Sequence, residues 1–214
     1  AKHRDRERPA RKGGPLSFWR CAIGQEVDSP FPGVVSCYTG AMPRFAINRA
    51  PVLTLWASVV AERLGFDRGE ALTLGRAVAG LTAYRKGVRL GLFEPTPKEV
   101  RAKRDRLKPG ERFTIALLGC PVEVVHTPDG IRALAKGKPD APAAVERYLA
   151  AKFGEHLDAA RKAMTALARS RTPAQLAPEG FRLYEKFRPS IPAGEAGWGA
   201  KGVLDLAKIA GLAG

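Results

Sequence analysis

Apolar residues recur at three-and-four spacing through residues 49–91, RAPVLTLWASVVAERLGFDRGEALTLGRAVAGLTAYRKGVRLG, and this pattern predicts two helices joined by a hinge. Val52, Leu55, Trp56, Val59, Val60 and Leu64 form the apolar stripe of the first helix, which Gly65 ends. Asp67 is placed to cap the second helix, with Glu70 three residues on reaching back as in a capping box. Leu74, Ala77, Val78 and Leu81 make its stripe, and Gly87 is read as its stop. Ala71, Gly75, Ala79 and Ala83 recur every fourth residue, a row of small side chains against which another helix can lie closely.

Farther on, Thr96 and Pro97 start a helix that runs to about Leu107 and carries cations on most of its circumference, so it belongs on the surface. Phe113, Ile115 and Leu117 then alternate with Arg112, Thr114 and Ala116, the period of a half-buried strand. Gly119 and Cys120 supply a turn and Val122, Val124 and Val125 a return strand, with Pro121 marking an edge. A helix capped by Asp140 follows over Ala141–Arg169, with Val145, Tyr148, Leu149, Phe153, Leu157, Ala160, Met164 and Leu167 on one face and a bend or close contact expected at Gly154. Shorter helices are predicted over Pro178–Phe187 and Val203–Leu212, separated by a loop that holds Trp198. The expected fold is α+β, predominantly α-helical with one antiparallel hairpin at 112–125, in a winged-helix-like order of two core helices, basic helix and hairpin.

The length of 214 residues suits one domain. Residues 1–41 begin with a polar, basic arm and continue through Phe18, Trp19 and Phe31 without a helical or strand period, and Met42 stands just before the first patterned helix. This organisation reads as an irregular extension over 1–41, upstream of a natural start at Met42, and a mostly helical domain over 42–214. If so, deletion of 1–41 leaves thermal stability unchanged. The wordings RAPVLTLWA, VAERLGFDR, EALTLG and AVAGL resemble the opening segment of uncharacterised bacterial proteins. The resemblance covers 49–91, implies that Met42 is a natural start, and implies no activity.

Charge changes the picture most. Thirty-six Lys and Arg stand against 21 Asp and Glu, a net charge of +15, and a field of that sign attracts polyanions. The candidate nucleic-acid contacts are Arg85, Lys86, Arg89, Lys98, Arg101, Lys103, Arg104, Arg106, Lys108 and Arg112. Their chemistry suits phosphates rather than base edges, so binding of DNA with little sequence preference is expected. The alternative is a protein-interaction or self-associating module that uses the small-residue row or the Trp198 loop.

An enzyme ranks behind both. A helix-turn-helix over Ala57–Val78 fails because its second apolar anchor falls on Ala71 and Gly75 stands among the recognition positions. The stretch GEAGWGAKG lacks the Ser or Thr after Lys201 that a phosphate-binding loop requires. His3, His126 and His156 have no metal-ligand spacing, and only His126, Asp129 and Cys120 deserve naming as acid-base or nucleophile candidates. No cofactor and no metal are expected. Three cysteines without a close pair suit a reducing interior, and neither a signal sequence nor a membrane span is seen, so a cytoplasmic location without a membrane partner is expected.

Overall fold

The computed structural model describes residues 42–95, 97, 99–100, 112–135, 137–193 and 199–214, all within the unit Gly40–Gly214. The extension over 1–41, Trp198 and all but residues 97, 99 and 100 of the basic helix expected over 96–107 lie outside the described residues; of these three, 99 and 100 are helical.

Helix α1 (Arg49–Arg63) is the centre of the core. Its stripe is buried as the periodicity requires, and so are the positions between, so that Pro51–Ala61 form one continuous buried run. A helix apolar all round belongs in a core, and α1 carries its two hydroxyls there without outside partners. Thr54 Oγ1 donates to the Ala50 carbonyl at 3.0 Å and Ser58 Oγ to the Thr54 carbonyl at 2.8 Å.

Helix α2 (Arg68–Arg89) begins at the expected capping box, where Glu70 N donates to Asp67 Oδ1 at 2.8 Å and Asp67 N to Glu70 Oε2 at 3.2 Å. The small-residue row packs on α1 at Gly75, where no side chain would fit between the two backbones. Gly87 does not stop α2, which continues to Arg89; its missing side chain makes room for the Phe93 ring instead.

The expected single hairpin is two strands of a larger sheet. Strands β2 (Arg112–Leu117), β3 (Cys120–Thr127), β4 (Gly130–Ala135) and β5 (Lys138–Pro139) form an antiparallel meander in that order. The first turn is Leu118–Gly119, both with positive φ (50° and 71°), one residue earlier than expected, and Cys120 already pairs with Leu117. Pro121 faces Ala116 beyond the reach of β4, whose pairing with β3 begins at Val124, so the edge expected there is present. The turn at Thr127–Gly130 leads into β4 rather than out of the sheet.

Helix α2 completes the β4 edge with side chains. Ile131 N donates to Glu70 Oε1 at 2.8 Å and Ala133 N to Thr73 Oγ1 at 3.2 Å. Residues three apart on a helix advance about 4.5 Å and residues two apart on a strand about 6.6 Å, close enough for two helix side chains to reach alternate strand amides. The winged arrangement is not confirmed, since all the cations of the helix it needs lie outside the described residues and β2–β3 belongs to this sheet.

The helix expected over Ala141–Arg169 is two. Helix α3 (Pro142–Phe153) ends at Gly154, with φ 56° and ψ −134°, and after one 3₁₀ turn α4 (Leu157–Arg169) resumes. Only glycine takes that conformation readily, which turns the expected bend into a break. Asp140 does not cap α3: Ala141 holds the cap position, and Asp140 Oδ1 accepts from Ala141 N at 3.1 Å and from Arg76 at 3.4 Å. Helix α5 (Pro173–Phe187) starts earlier than Pro178, at a second capping box between Thr172 and Gln175. The last segment is a strand before it is a helix: β6 (Lys201–Asp205) pairs antiparallel with β1 (Arg44–Asn48), and the short α6 (Leu206–Gly211) follows, capped by Asp205.

Candidate functional site

Four of the ten candidate phosphate contacts fall on described residues. Arg85, Lys86 and Arg89 are exposed in the last turns of α2 and share an arc of about 100° at 3.6 residues per turn. Arg85 Nη1 donates to Cys120 Sγ at 3.5 Å, which sets one end of the arc against the β2–β3 turn. Arg112 is half-buried at the opposite end of β2, across from Val125, so a strand length separates it from that turn. The structure therefore gathers three of the four and sets Arg112 apart. Lys98, Arg101, Lys103, Arg104, Arg106 and Lys108 lie outside the described residues.

The three arc residues differ from the cations at seams between segments. Arg161 pairs with Glu62 at 3.2 Å, Arg68 with Glu146 at 3.0 Å, Arg76 with Asp140 at 3.4 Å and Arg44 with Asp205 at 2.7 Å, each joining two elements. Among the described residues, Arg85, Lys86 and Arg89 have no carboxylate within ion-pair distance. Lys86 and Arg89, in the last turn of α2, also complement the negative end of its backbone dipole.

The acid-base and nucleophile candidates do not converge. Cys120 is buried at the start of β3, and His126 stands near its other end, six residues or about 20 Å along the strand. The His126 ring stacks on Phe113 with centroids 4.6 Å apart. Asp129 belongs to the next turn, where its carbonyl accepts from Arg132 at 2.7 Å. Among the described residues no hydrogen bond or ion pair joins His126 to Asp129, and no group of three or more His, Cys, Asp or Glu is placed to hold a metal. His156 stacks on Phe45 with centroids 4.3 Å apart, which makes it a packing residue. No helix of the described residues is long and apolar enough to cross a membrane.

A feature that the linear sequence did not single out lies beside the arc. Pro51 and Leu53 of α1 and Ala79 of α2 floor a groove of about 640 Å³, walled by Ala83, Tyr148, Phe181 and Tyr184. Its charged lining among the described residues is Arg49, Lys86, Lys152 and Arg188, with no carboxylate. The wall is tied down: Tyr184 Oη donates to the Arg49 carbonyl at 3.2 Å, Arg49 Nε to the Pro189 carbonyl at 3.1 Å, and the Asn48 side-chain amide to the Gly199 carbonyl. Burial pushes the Tyr184 phenol up to about 12 against the downward pull of Arg49 and Arg188, and burial also raises Tyr148. Both hydroxyls therefore stay protonated at neutral pH. Helical periodicity identifies Tyr148 and Tyr184 as apolar-face residues, but five segments distant in the chain build the groove and no local pattern announces it.

The small-residue row, a candidate self-association surface, is occupied within the chain, because Ala71, Gly75 and Ala79 are buried and α1 packs on Gly75. Comparison with protein-family models, with curated proteins and with solved structures gives no match to this chain, so its function is read from its own residues.

Proposed function

We propose that the protein binds nucleic acid, duplex DNA foremost, through phosphate contacts with little sequence preference. The supporting observation is the exposed arc of Arg85, Lys86 and Arg89, free of carboxylate partners among the described residues, on a chain of net charge +15. The arc leads along the chain toward Lys98–Lys108, where six more cations follow. Guanidinium and ammonium groups so disposed neutralise phosphates and release counterions, and they carry none of the Asn or Gln side chains that read adenine edges.

The test is a salt titration of binding to duplex DNA, single strands and heparin with the full chain. A logarithmic slope of about −0.9 per phosphate neutralised is expected on duplex DNA. Charge reversal at Lys98, Arg101 and Arg104 to Glu, and separately at Arg85 and Arg89, abolishes the gel shift while the circular dichroism spectrum stays unchanged. Binding that survives both reversals, or that is flat between low and moderate salt, overturns the proposal. The competing reading, a self-associating module, predicts a light-scattering mass above 23.0 kDa without nucleic acid.

A further inference from the structure

The groove between α1, α2, α3 and α5 has the chemistry of a small-molecule site and is independent of the nucleic-acid reading. Its volume of about 640 Å³ falls in the range of about 300–1,000 Å³ typical of such sites. Its floor of Pro51, Leu53 and Ala79 offers buried aliphatic surface and no charge. A ligand with hydroxyls or ring nitrogens in that position would leave them unpaired, at a cost per group of about 1–3 kcal/mol.

Sign decides the rest of the ligand. Among the described residues the charged lining of the groove is all cationic, with Lys86, Lys152 and Arg188 exposed at the rim. Ion pairs join other elements of this protein, but among the described residues none reaches these three. Like charges around a low-dielectric wall repel one another, and an anionic group among them relieves that repulsion. Leu90 and Leu92 line the same groove and are 55% and 53% exposed, so apolar surface stands in water at its mouth. A cationic rim over an apolar floor matches a molecule that carries one anionic head on a hydrocarbon body. Lysine suits this role, with an aliphatic stem that lies along apolar surface below a charged head.

We propose that this groove binds a medium-chain aliphatic carboxylate, with its chain against Pro51, Leu53, Ala79 and Phe181 and its head among Lys152, Arg188 and Arg49. The wall hydrogen bonds of Tyr184, Arg49 and Asn48 hold the groove open before the ligand arrives, which reduces the ordering cost of binding. Lys86 belongs to both this rim and the arc proposed for DNA, so it is left unaltered in the test.

The experiment is isothermal titration of the full chain with decanoate below its micelle concentration, beside decanol and decyltrimethylammonium. Saturable binding of one decanoate per chain is expected, with decanol weaker and the cation without measurable binding. Lys152→Glu combined with Arg188→Glu weakens decanoate by at least about tenfold and leaves decanol unchanged. Ala83→Phe, which fills the groove from an accessible face of α2, weakens decanoate and decanol together. Equal binding of all three amphiphiles, non-saturable uptake, or decanoate affinity unchanged by either variant overturns the proposal. Failure of DNA binding with decanoate binding intact leaves it standing.

Discussion

Gly75 and Ser58 meet backbone to backbone. A β-carbon at Gly75 would stand 2.8 Å from the Ser58 nitrogen and 2.5 Å from the Thr54 carbonyl oxygen. Neither is a side-chain end that can swing away, so an added methyl must push α2 off α1. Alanine at Gly75 is expected to destabilise the fold by about 1–3 kcal/mol, although alanine is the better helix former. Gly80, five residues along the same helix, is exposed with nothing within 4 Å of an added β-carbon. Gly80→Ala is therefore expected to stabilise by up to about 1 kcal/mol. Urea denaturation of the two variants checks both signs.

Thr73 joins α2 to the sheet through one oxygen, which donates to the Glu70 carbonyl at 2.9 Å and accepts from Ala133 N at 3.2 Å. Thr73→Val keeps the shape and removes both bonds. Ala133 is buried, so its amide loses its partner without gaining water. The expected cost is about 1–3 kcal/mol, with hydrogen exchange accelerated at Ala133 more than at the amides of β2. Unchanged exchange at Ala133 would contradict this account of the seam.

Tyr184 gives the fold an alkaline limit. Its folded pKa of about 12 stands above the ordinary phenol value of about 10. The unfolded chain thus releases its proton first as pH rises. Stability is fully present below pH 10 and falls as pH rises through the folded value. Tyr184→Phe is expected to lose about 1 kcal/mol at neutral pH with the hydrogen bond to Arg49, and to show a shallower decline between about pH 10 and 12. Thermal melts followed by circular dichroism across that range would show it.

Asp205 sets the opposite limit. Burial works to raise its pKa, but hydrogen bonds from Arg44 and from the Lys208 and Ala207 amides outweigh this, so the carboxyl lies below its ordinary range. Its contribution is complete above the ordinary carboxyl value and disappears as pH falls through the lower folded value. Asp205→Asn is expected to cost about 0.5–1 kcal/mol at neutral pH. The gap should close below about pH 4, as read from denaturation midpoints at a series of pH values.

The parts of this fold legible in the sequence are those whose signals are local. The Asp67–Glu70 cap, the period of α1 and α2, the spacing of Ala71, Gly75 and Ala79 and the glycine at 154 each act over a turn or two of helix, and each is realised. The Thr172–Gln175 cap is equally local, but Pro178 imitates a helix start five residues later while sitting inside α5. The strands at the two ends of the unit were not legible. In Val203, Leu206 and Ile209 a spacing of three imitates a helix, and only the register with Arg44–Asn48 makes Lys201–Asp205 a strand. Among the candidate cations, neighbours on one helix come together, whereas Arg112 opens β2 and is held a strand length from the turn that Arg85 meets, a separation the alternation over 112–117 already implies. The groove depends on Arg49, Lys86, Lys152 and Arg188 meeting from four segments, which no window of sequence contains.

The pairing of β1 with β6 imposes an order on biosynthesis. Asn48 and Gly199, joined at one end of this ribbon, are separated by 151 positions, so the segment that leads into the central helix must wait for all of that intervening chain before its amides find partners. Closing so long a loop is slow compared with forming local helix pairs. On the ribosome α1 and α2 can associate early, while Arg44–Asn48 remains an unpaired edge until Lys201–Asp205 emerges. A nascent chain stalled before Lys201 should therefore bind holdase chaperones at its leading strand, and release of the completed chain should end that association.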